Sequence, residues 1–389
     1  MTDAVEGPLQ GIRVLDFTTM MSGPMATRLL ADMGCDVVKV EAPPAGDHNR
    51  RRTPTFGDSS RYFAQMNNGK RSVLLDLKSP GDLALALDLA AQSDVLIENN
   101  RPGVMARLGV GYDDVRARNP RIVYAAISGY GQSGLASQRP AYAPNITADS
   151  GFDMANMLYQ ADPATPANTA IFIPDAMAAL HTTIAVQAAL LGRERTGAGQ
   201  FIDISLFDTM FNLMVYELQI AQLGTPPDRS VYSPVATLEG YVSIAPVTQQ
   251  MFEKLAVTIG RSEIIDDPRW ATQTARELNW GAMMDMVREW AKGMKREDVL
   301  AELNAAGVAA APYRTPTEAL NDPHVRARGL LVPQHDDGGD FFLFNPPFAF
   351  ADGSVHARGD RPSPSLNADR ADVLKDWLGE SARLGWLRA

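Results

Sequence analysis

The chain has 389 residues, 45% hydrophobic and 21% charged, and Lys plus Arg (36) against Asp plus Glu (46) leaves a net charge of −10. This is an ordinary globular composition, long enough for two or three domains around a large core. The acidic balance argues against nucleic acid as a partner, although a local basic patch for a phosphorylated ligand stays open. No run approaches the roughly 18 apolar residues that a membrane-spanning helix needs, and the acidic start MTDAVEGPLQG does not read as a signal peptide. A single cysteine, Cys35, permits no intrachain disulfide and suits a cytoplasmic location. Its place after Gly34, at the entrance to a strand, reads as a small buried apolar side chain.

In chain order, GIRVLDF (11–17) reads as a strand and GPMATRLLADM (23–33) as a helix, with Met25, Leu29 and Met33 on one face. Pro24 suits its start and Gly34 its end. CDVVKVE (35–41) is the next strand, and 43–56, with its prolines and basic run, a loop. SVLLDL (72–77) is a strand, Ser79-Pro80 opens a helix to about Gln92, and DVLIEN (94–99) and RIVYAAIS (121–128) are further strands. Strands alternating with helices over short connections predict a parallel sheet covered by helices. Such sheets bind ligands at the carboxyl ends of their strands, which points to residues 18–23, 41–47, 98–103 and 128–134.

The stretch 128–174, rich in Gly, Ser and Pro, suggests active-site loops and short helices. A long helix is expected from about Asp175 to Leu191, a turn at 192–200, and a strand running into a helix over 201–224. From about 235 the texture becomes that of a smaller α+β unit: a strand at GYVSIAP, a helix at 250–259, helical segments over 283–305, a strand or turn at GVAAAPYR (307–314), and Thr315-Pro316 capping another helix. Segments near 210–234 and 325–350 read as long linkers, His335-Asp336-Asp337 as a polar loop, and ADRADVLKDWLG (368–379) as an amphipathic helix.

Gly129, Gly131 and Gly134 form a GxGxxG after the strand RIVYAAIS, but the following LASQRPAYAPN has no helical period, so a glycine-rich loop fits better than a dinucleotide site. The chain has no GxxxxGK[ST] and no GxSxG, and its five histidines have no ligand spacing, so neither a P-loop nor a hydrolase serine is expected, nor a metal. Asp175 stands apart: it follows Pro174 and precedes a helix of small residues. The position suits an N-cap. It equally suits an ionised, accessible carboxylate that attacks a thioester, with Ala176, Ala178 and Ala179 leaving room for a bulky substrate.

Several segments resemble the class III CoA-transferases, a family that includes formyl-CoA transferase, carnitine CoA-transferase and α-methylacyl-CoA racemase. They are PLQGIRVLDFTTMMSGPMATRLLADMGCDVVKVEAPPAGD (8–47), NNGKRSVLLDLKSP (67–80), DVLIENNRPGVMARLGVGYDDV (94–115), NPRIVYAAISGYGQSG (119–134), PDAMAALHTTIAVQAALLGRERTGAGQFIDISLFD (174–208) and GVAAAPYRTPTEALNDPHVRARGLL (307–331). The likeness covers nearly the whole chain in order and spacing. It implies an α/β fold: a Rossmann-like large domain with a parallel sheet (1–224), a smaller α+β domain (225–330) and a C-terminal segment returning to the large domain (331–389), in an interlaced homodimer. The implied activity is transfer of CoA between two carboxylic acids, with Asp175 as nucleophile and no tightly bound cofactor, the CoA thioester being a substrate. Lys70, Arg71 and Arg107 match basic positions near the nucleotide, and Asn99 matches an asparagine that contacts CoA. Arg101, Arg50, Arg51 and Arg52 are further basic candidates.

Tyr142 stands where the racemase branch has its proton-carrying His, so a racemase would lack one of two proton carriers. Racemase chemistry and a catalytically inert CoA-binding protein are the alternatives. Met21 replaces a glutamine of the formyl-CoA transferase branch, and 225–250 contains only Gly240 where that branch has a glycine run. Both departures argue against oxalate and formate, and Met20 with Met21 suggests a more apolar acid.

Overall fold

The computed structural model describes residues 6–56, 59–160, 165–167, 169–224, 232–336, 338–380 and 386. They divide into two compact units, one of Met1–Gln219 with Arg326–Ala389 and one of Ile220–Val325. In the first, six strands form one sheet: β1 (Arg13–Asp16), β2 (Asp36–Glu41), β3 (Arg71–Leu74), β4 (Val95–Glu98), β5 (Val123–Ser128) and β6 (Gln200–Ser205). Every pairing is parallel and the order is β3-β2-β1-β4-β5-β6. This is the doubly wound order of a Rossmann-like sheet, whose direction reverses between β1 and β4 and leaves a crevice at their carboxyl ends.

Alternation along each strand divides the core. Val95 and Ile97 of β4 and Val123, Ala125 and Ile127 of β5 pack with α1 (Ser22–Asp32), through Leu30 and Ala31. Their intervening neighbours Leu96, Tyr124 and Ala126 pack on the other face with α3 (Pro80–Ala91), through Leu85 and Leu89. A strand covered on both faces needs apolar side chains at every position, which explains the unbroken runs in the sequence. Each fully buried Val, Leu or Ile contributes about 1.5–3 kcal/mol. Between β2 and β3 lies α2 (Arg61–Asn67), and between β4 and β5 lie α4 (Val104–Arg107) and α5 (Tyr112–Arg118). The glycine-rich stretch after β5 has no helix until α6 (Ala143–Asp149), followed by α7 (Phe152–Met157).

The long helix α8 runs over Ile173–Thr196, overrunning the turn expected at 192–200. Arg193 explains the extension: it is buried and donates to Asp94 Oδ1 at 2.9 Å, so the last helical turn is tied to the sheet. Gly197, at φ +71°, ends it. Then Gly199 passes so close to β5 that a Cβ there would lie 1.9 Å from the Ile122 carbonyl oxygen. After β6 comes α9 (Leu206–Leu213).

The segment expected as a linker over 325–350 holds an antiparallel hairpin, Leu331–Asp336 with Gly339–Phe344. Exposure alternates along both arms from Val332 and from Gly339, with Gly338-Gly339 at the tip. His335 and Asp336 lie in its first arm; Asp337 is outside the described residues. The chain then runs along β3 to a helix, Arg370–Leu378. There the edge amides of Ser72 and Leu74 donate to Asp369 Oδ2 and Asn367 Oδ1, both at 2.8 Å, and Arg370 donates to the Leu74 carbonyl at 3.0 Å. Side chains thus satisfy a sheet edge that would otherwise be open.

The second unit has a three-stranded antiparallel sheet, Val235–Thr237, Gly240–Ile244 and Ala310–Pro312. Its core gathers Val242, Ile244, Phe252, Leu255, Met283, Met284, Val287, Val299 and Leu303. Thr315 caps the helix Pro316–Leu320 in a reciprocal box with Glu318.

Candidate active site

The loop that follows β1 is braced from beneath by buried charge. Asp16 accepts from the Thr18 amide (2.8 Å), the Thr18 hydroxyl (2.5 Å) and the Thr27 hydroxyl (2.7 Å), and pairs with Lys70 at 3.0 Å. Lys39 of β2 donates to the Thr18 carbonyl at 2.7 Å and pairs with Asp47 at 3.0 Å. Both lysine side chains are 0% exposed. Burial alone would push the Asp16 carboxyl up, but Lys70, Lys39 and the two hydroxyls hold it down at about 2. Burial in turn pulls the Lys70 ammonium down to about 8 against the pull of Asp16.

Above these pairs Met20 takes a left-handed conformation, φ +69°, which costs a non-glycine residue about 1–2 kcal/mol. Neighbours hold it there. Its amide points at Asp47 Oδ1 (3.4 Å), and its carbonyl accepts from the Asn49 side chain. On the other side Asn99, just past β4, clamps the Thr19 peptide at both ends, 2.9 Å and 2.7 Å, and reaches the Ser22 hydroxyl at 3.3 Å. The result is a fixed position for Met21 and Ser22, the cap and first residue of α1. Gly23 must stay small, because a Cβ there would meet Thr18 Cβ at 2.2 Å.

Between these loops is a cavity of about 540 Å³. Thr19, Met20, Met21 and Ser22 line it from β1, Asn99 to Pro102 from β4, and Ile127, Ser128 and Gly129 from β5. His48, Asn49, Arg52 and Tyr62 come from the segment after β2, Arg139, Tyr142 and Pro144 from the stretch ahead of and into α6, and Phe172 and Asp175 from the start of α8. Three of the four strand tails marked in the sequence supply lining. The fourth, 41–47, lies behind it: Glu41 binds the Asp47 amide at 2.9 Å and Arg50 at 2.6 Å.

Asp175 is the carboxylate of this cavity. It is not an N-cap, since α8 begins at Ile173 with Phe172 as its cap; Asp175 sits in the first turn, partly buried. Burial pushes its pKa up to about 6, while the backbone N–H groups of Ser22 and of Asp175 itself hold the charged form. The first turns of α1 and α8 therefore both bear on one carboxylate, each with the positive end of its dipole. No ion pair ties up the group among the described residues.

The sequence profile of CoA-transferase family III matches residues 9–370. The chain belongs to that family. The transferase is 32% identical to a succinate–glutarate CoA-transferase of Agrobacterium fabrum, over 95% of each chain. It is also 32% identical to an acetyl-CoA:oxalate CoA-transferase of Acetobacter aceti, over 97% of this chain and 98% of that one. Among solved structures, a CaiB/BaiF family protein from Brucella suis is 32% identical, with a TM-score of 0.82 over 96% of this chain and all of the other. Rv3272 from Mycobacterium tuberculosis, 29% identical, gives 0.84 over 94% and 98%. The transferase is thus a class III CoA-transferase, moving CoA between carboxylic acids.

Of the residues that sequence reasoning singled out, Asp175, Tyr142, Met20, Met21, Asn99 and Arg101 meet at the one cavity. Tyr142 is 67% exposed there. Lys70 does not face it: its ammonium is consumed by Asp16, the Pro24 carbonyl and Asn67, so a role at the CoA phosphates is corrected to bracing the β1 loop. Arg71 is corrected likewise, being bound to Asp36 and Asp376 beside the C-terminal helix. Lys70 is drawn to an acid of β1, and Arg71 to acids of β2 and of the C-terminal helix. Arg107, at the end of α4, is exposed but outside the cavity lining. Arg50 is taken by Glu41, and Arg51 is exposed, leaving Arg52 as the member of that run that enters the cavity. His48, Tyr62, Arg139 and Phe172 went unmarked as site residues. Only the 43–56 loop, adjoining the β2 tail, gave a signal for His48. Cys35 is buried, and burial with Asp94 and Asp36 nearby pushes its thiol above the usual range.

Proposed function

We propose that Asp175 is a covalent nucleophile that moves CoA by way of aspartyl anhydride and aspartyl thioester intermediates. A carboxylate oxygen attacks the donor thioester carbonyl, the C–S bond breaks, and an aspartyl–acyl anhydride and CoA thiolate result. The thiolate attacks the aspartyl carbonyl, releasing the first acid as its carboxylate and leaving aspartyl-CoA thioester. The acceptor carboxylate attacks that thioester, expelling the thiolate and forming a second anhydride. The thiolate then attacks the acceptor acyl carbon, giving the new acyl-CoA and free Asp175. No proton is consumed, and the acyl group never passes to water.

The observation behind this reading is one carboxylate, without an ion-pair partner among the described residues, at the meeting of two helix N-termini inside a cavity. The backbone N–H groups that face it are suited to the oxyanions of the tetrahedral intermediates. An exposed Tyr142 in place of a second proton carrier speaks against racemisation. The reading further includes a homodimer in which two chains interlace. Exposed Leu180, Ile184 and Leu191, spaced along one side of α8, supply apolar surface for such contacts. Hydroxylamine added with an acyl-CoA should trap Asp175 as a hydroxamate, found by mass spectrometry of its peptide. Asp175→Ala should lose transfer by at least about 10³-fold while keeping its affinity for CoA. Transfer at the wild-type rate by that variant would sink the proposal.

A further inference from the structure

Four basic side chains line the cavity with Asp175: His48, Arg52, Arg101 and Arg139. Arg139 pairs with Asp149 at 3.0 Å, and His48 and Arg101 are exposed to solvent. Arg52 differs from all of them. It is half-buried, its guanidinium stacks over Tyr62 at 4.9 Å and near Phe172 at 5.7 Å, and among the described residues it has no carboxylate partner. Its neighbour Arg50 holds Glu41 through two hydrogen bonds, of 2.8 and 2.6 Å. Arg52 is positioned instead by its own amide, which closes a short helical turn on the Asn49 carbonyl at 3.2 Å.

Stacking on two rings fixes the plane of the guanidinium and removes part of its water, so the empty fork favours an anion that arrives with a ligand. Phe172 caps the helix that holds Asp175, three residues away, and Tyr62 feels the charges of both Arg52 and Asp175. One cavity thus holds Asp175, the two rings and a cation that has no carboxylate partner among the described residues. We infer that Arg52 binds the distal carboxylate of a dicarboxylic acid whose other carboxyl exchanges CoA at Asp175. This rests on the proposed role of Asp175 and narrows its substrates: an apolar acid, the expectation from Met20 and Met21, would leave a partly desolvated cation uncompensated. The methionines then pack against the methylene spacer between two carboxyl groups.

The test uses exchange between an acyl-CoA and its own labelled acid, which needs no second substrate. Succinate, glutarate and adipate are compared with butyrate, pentanoate and hexanoate, each with its CoA thioester. The wild-type enzyme is expected to favour the diacids, and Arg52→Gln to lower the diacid-to-monoacid ratio of kcat/KM about 100-fold. Arg52→Lys should recover part of the ratio. Equal or faster exchange of the monoacids by the wild-type enzyme overturns the inference, as does exchange of neither set. An equal loss for both sets in Arg52→Gln that vanishes with pantetheine thioesters, which have no phosphates, assigns Arg52 to CoA and also overturns it. Exchange that persists in Asp175→Ala with a ratio still dependent on Arg52 instead removes the nucleophile and leaves the arginine in place.

Discussion

Asp175 is held between two opposing influences, burial that raises its pKa to about 6 and backbone N–H groups that favour its charge. If the ionised form is the nucleophile, kcat/KM should fall about tenfold per pH unit below pH 6, followed in a pH–rate profile. Glu98, which burial pushes up to about 7, titrates in the same window just behind Asn99, so the profile should be repeated on Glu98→Gln. The limb should stay near 6. The same shift has a consequence for stability. A carboxyl whose pKa is higher folded than unfolded loses native-state stability as pH rises from about 4 to 6. Asp175→Asn should therefore melt higher than wild type at pH 7, by roughly 1–2 kcal/mol after allowance for its partial exposure. The gain should disappear at pH 4. A functional group that costs stability is expected where a reactive charge is kept out of water.

At the scale of elements, the β1 loop depends on the strands beneath it more than on its own residues. Lys39 and Lys70 come from β2 and from the residue before β3, and their acids from β1 and the loop after β2. Lys70→Met leaves Asp16 buried beside one fewer cation, which should cost about 3–5 kcal/mol. Chemical denaturation measures this, while the CoA dissociation constant of the folded variant should change by less than about threefold. A Lys70 that instead contacted the CoA phosphates would reverse that ranking. Met20 shows the same logic in the backbone: its strained φ is maintained by Asp47, Asn49 and the Asn99 clamp nearby, and the strain sits where Ser22 must be placed.

For the molecule as a whole, the first unit is closed by its own C-terminus. Asp369 and Asn367 satisfy the amides of β3, and Trp377 donates to Asp36 Oδ2 at 2.7 Å. Asp369→Ala removes the acceptor for the Ser72 amide and should lower stability by about 1–3 kcal/mol in urea unfolding. An exposed β3 edge should also raise aggregation of the variant, seen by light scattering. The doubly wound sheet is the frame on which the rest depends. Its order reverses between β1 and β4, and the loops leaving β1, β4 and β5, the segment after β2 and the starts of α6 and α8 line the cavity there.

Unlike the short helices α2, α4 and α5, the strands of the parallel sheet, the helices α1, α3 and α8, and the absence of a helix at Gly129, Gly131 and Gly134 were legible in the residues. Each is written locally, as a run of apolar side chains, a period or a capping dipeptide. The hairpin over 331–344 was missed because its short arms, LVPQHD and GDFFLF, carry no period-two pattern and show as strands only once paired. Which cations serve a ligand was not legible at all: Lys70, Arg71, Arg50 and Arg52 look alike along the chain. Whether a cation is free depends on which acids the fold brings within 3–4 Å of it, and those acids lie up to 305 residues away in sequence. Periodicity was enough to define the sheet and the place to search. Only the packed chain decided that Lys70 and Arg71 are spent on acids and that Arg52, without a carboxylate partner among the described residues, lines the cavity of Asp175.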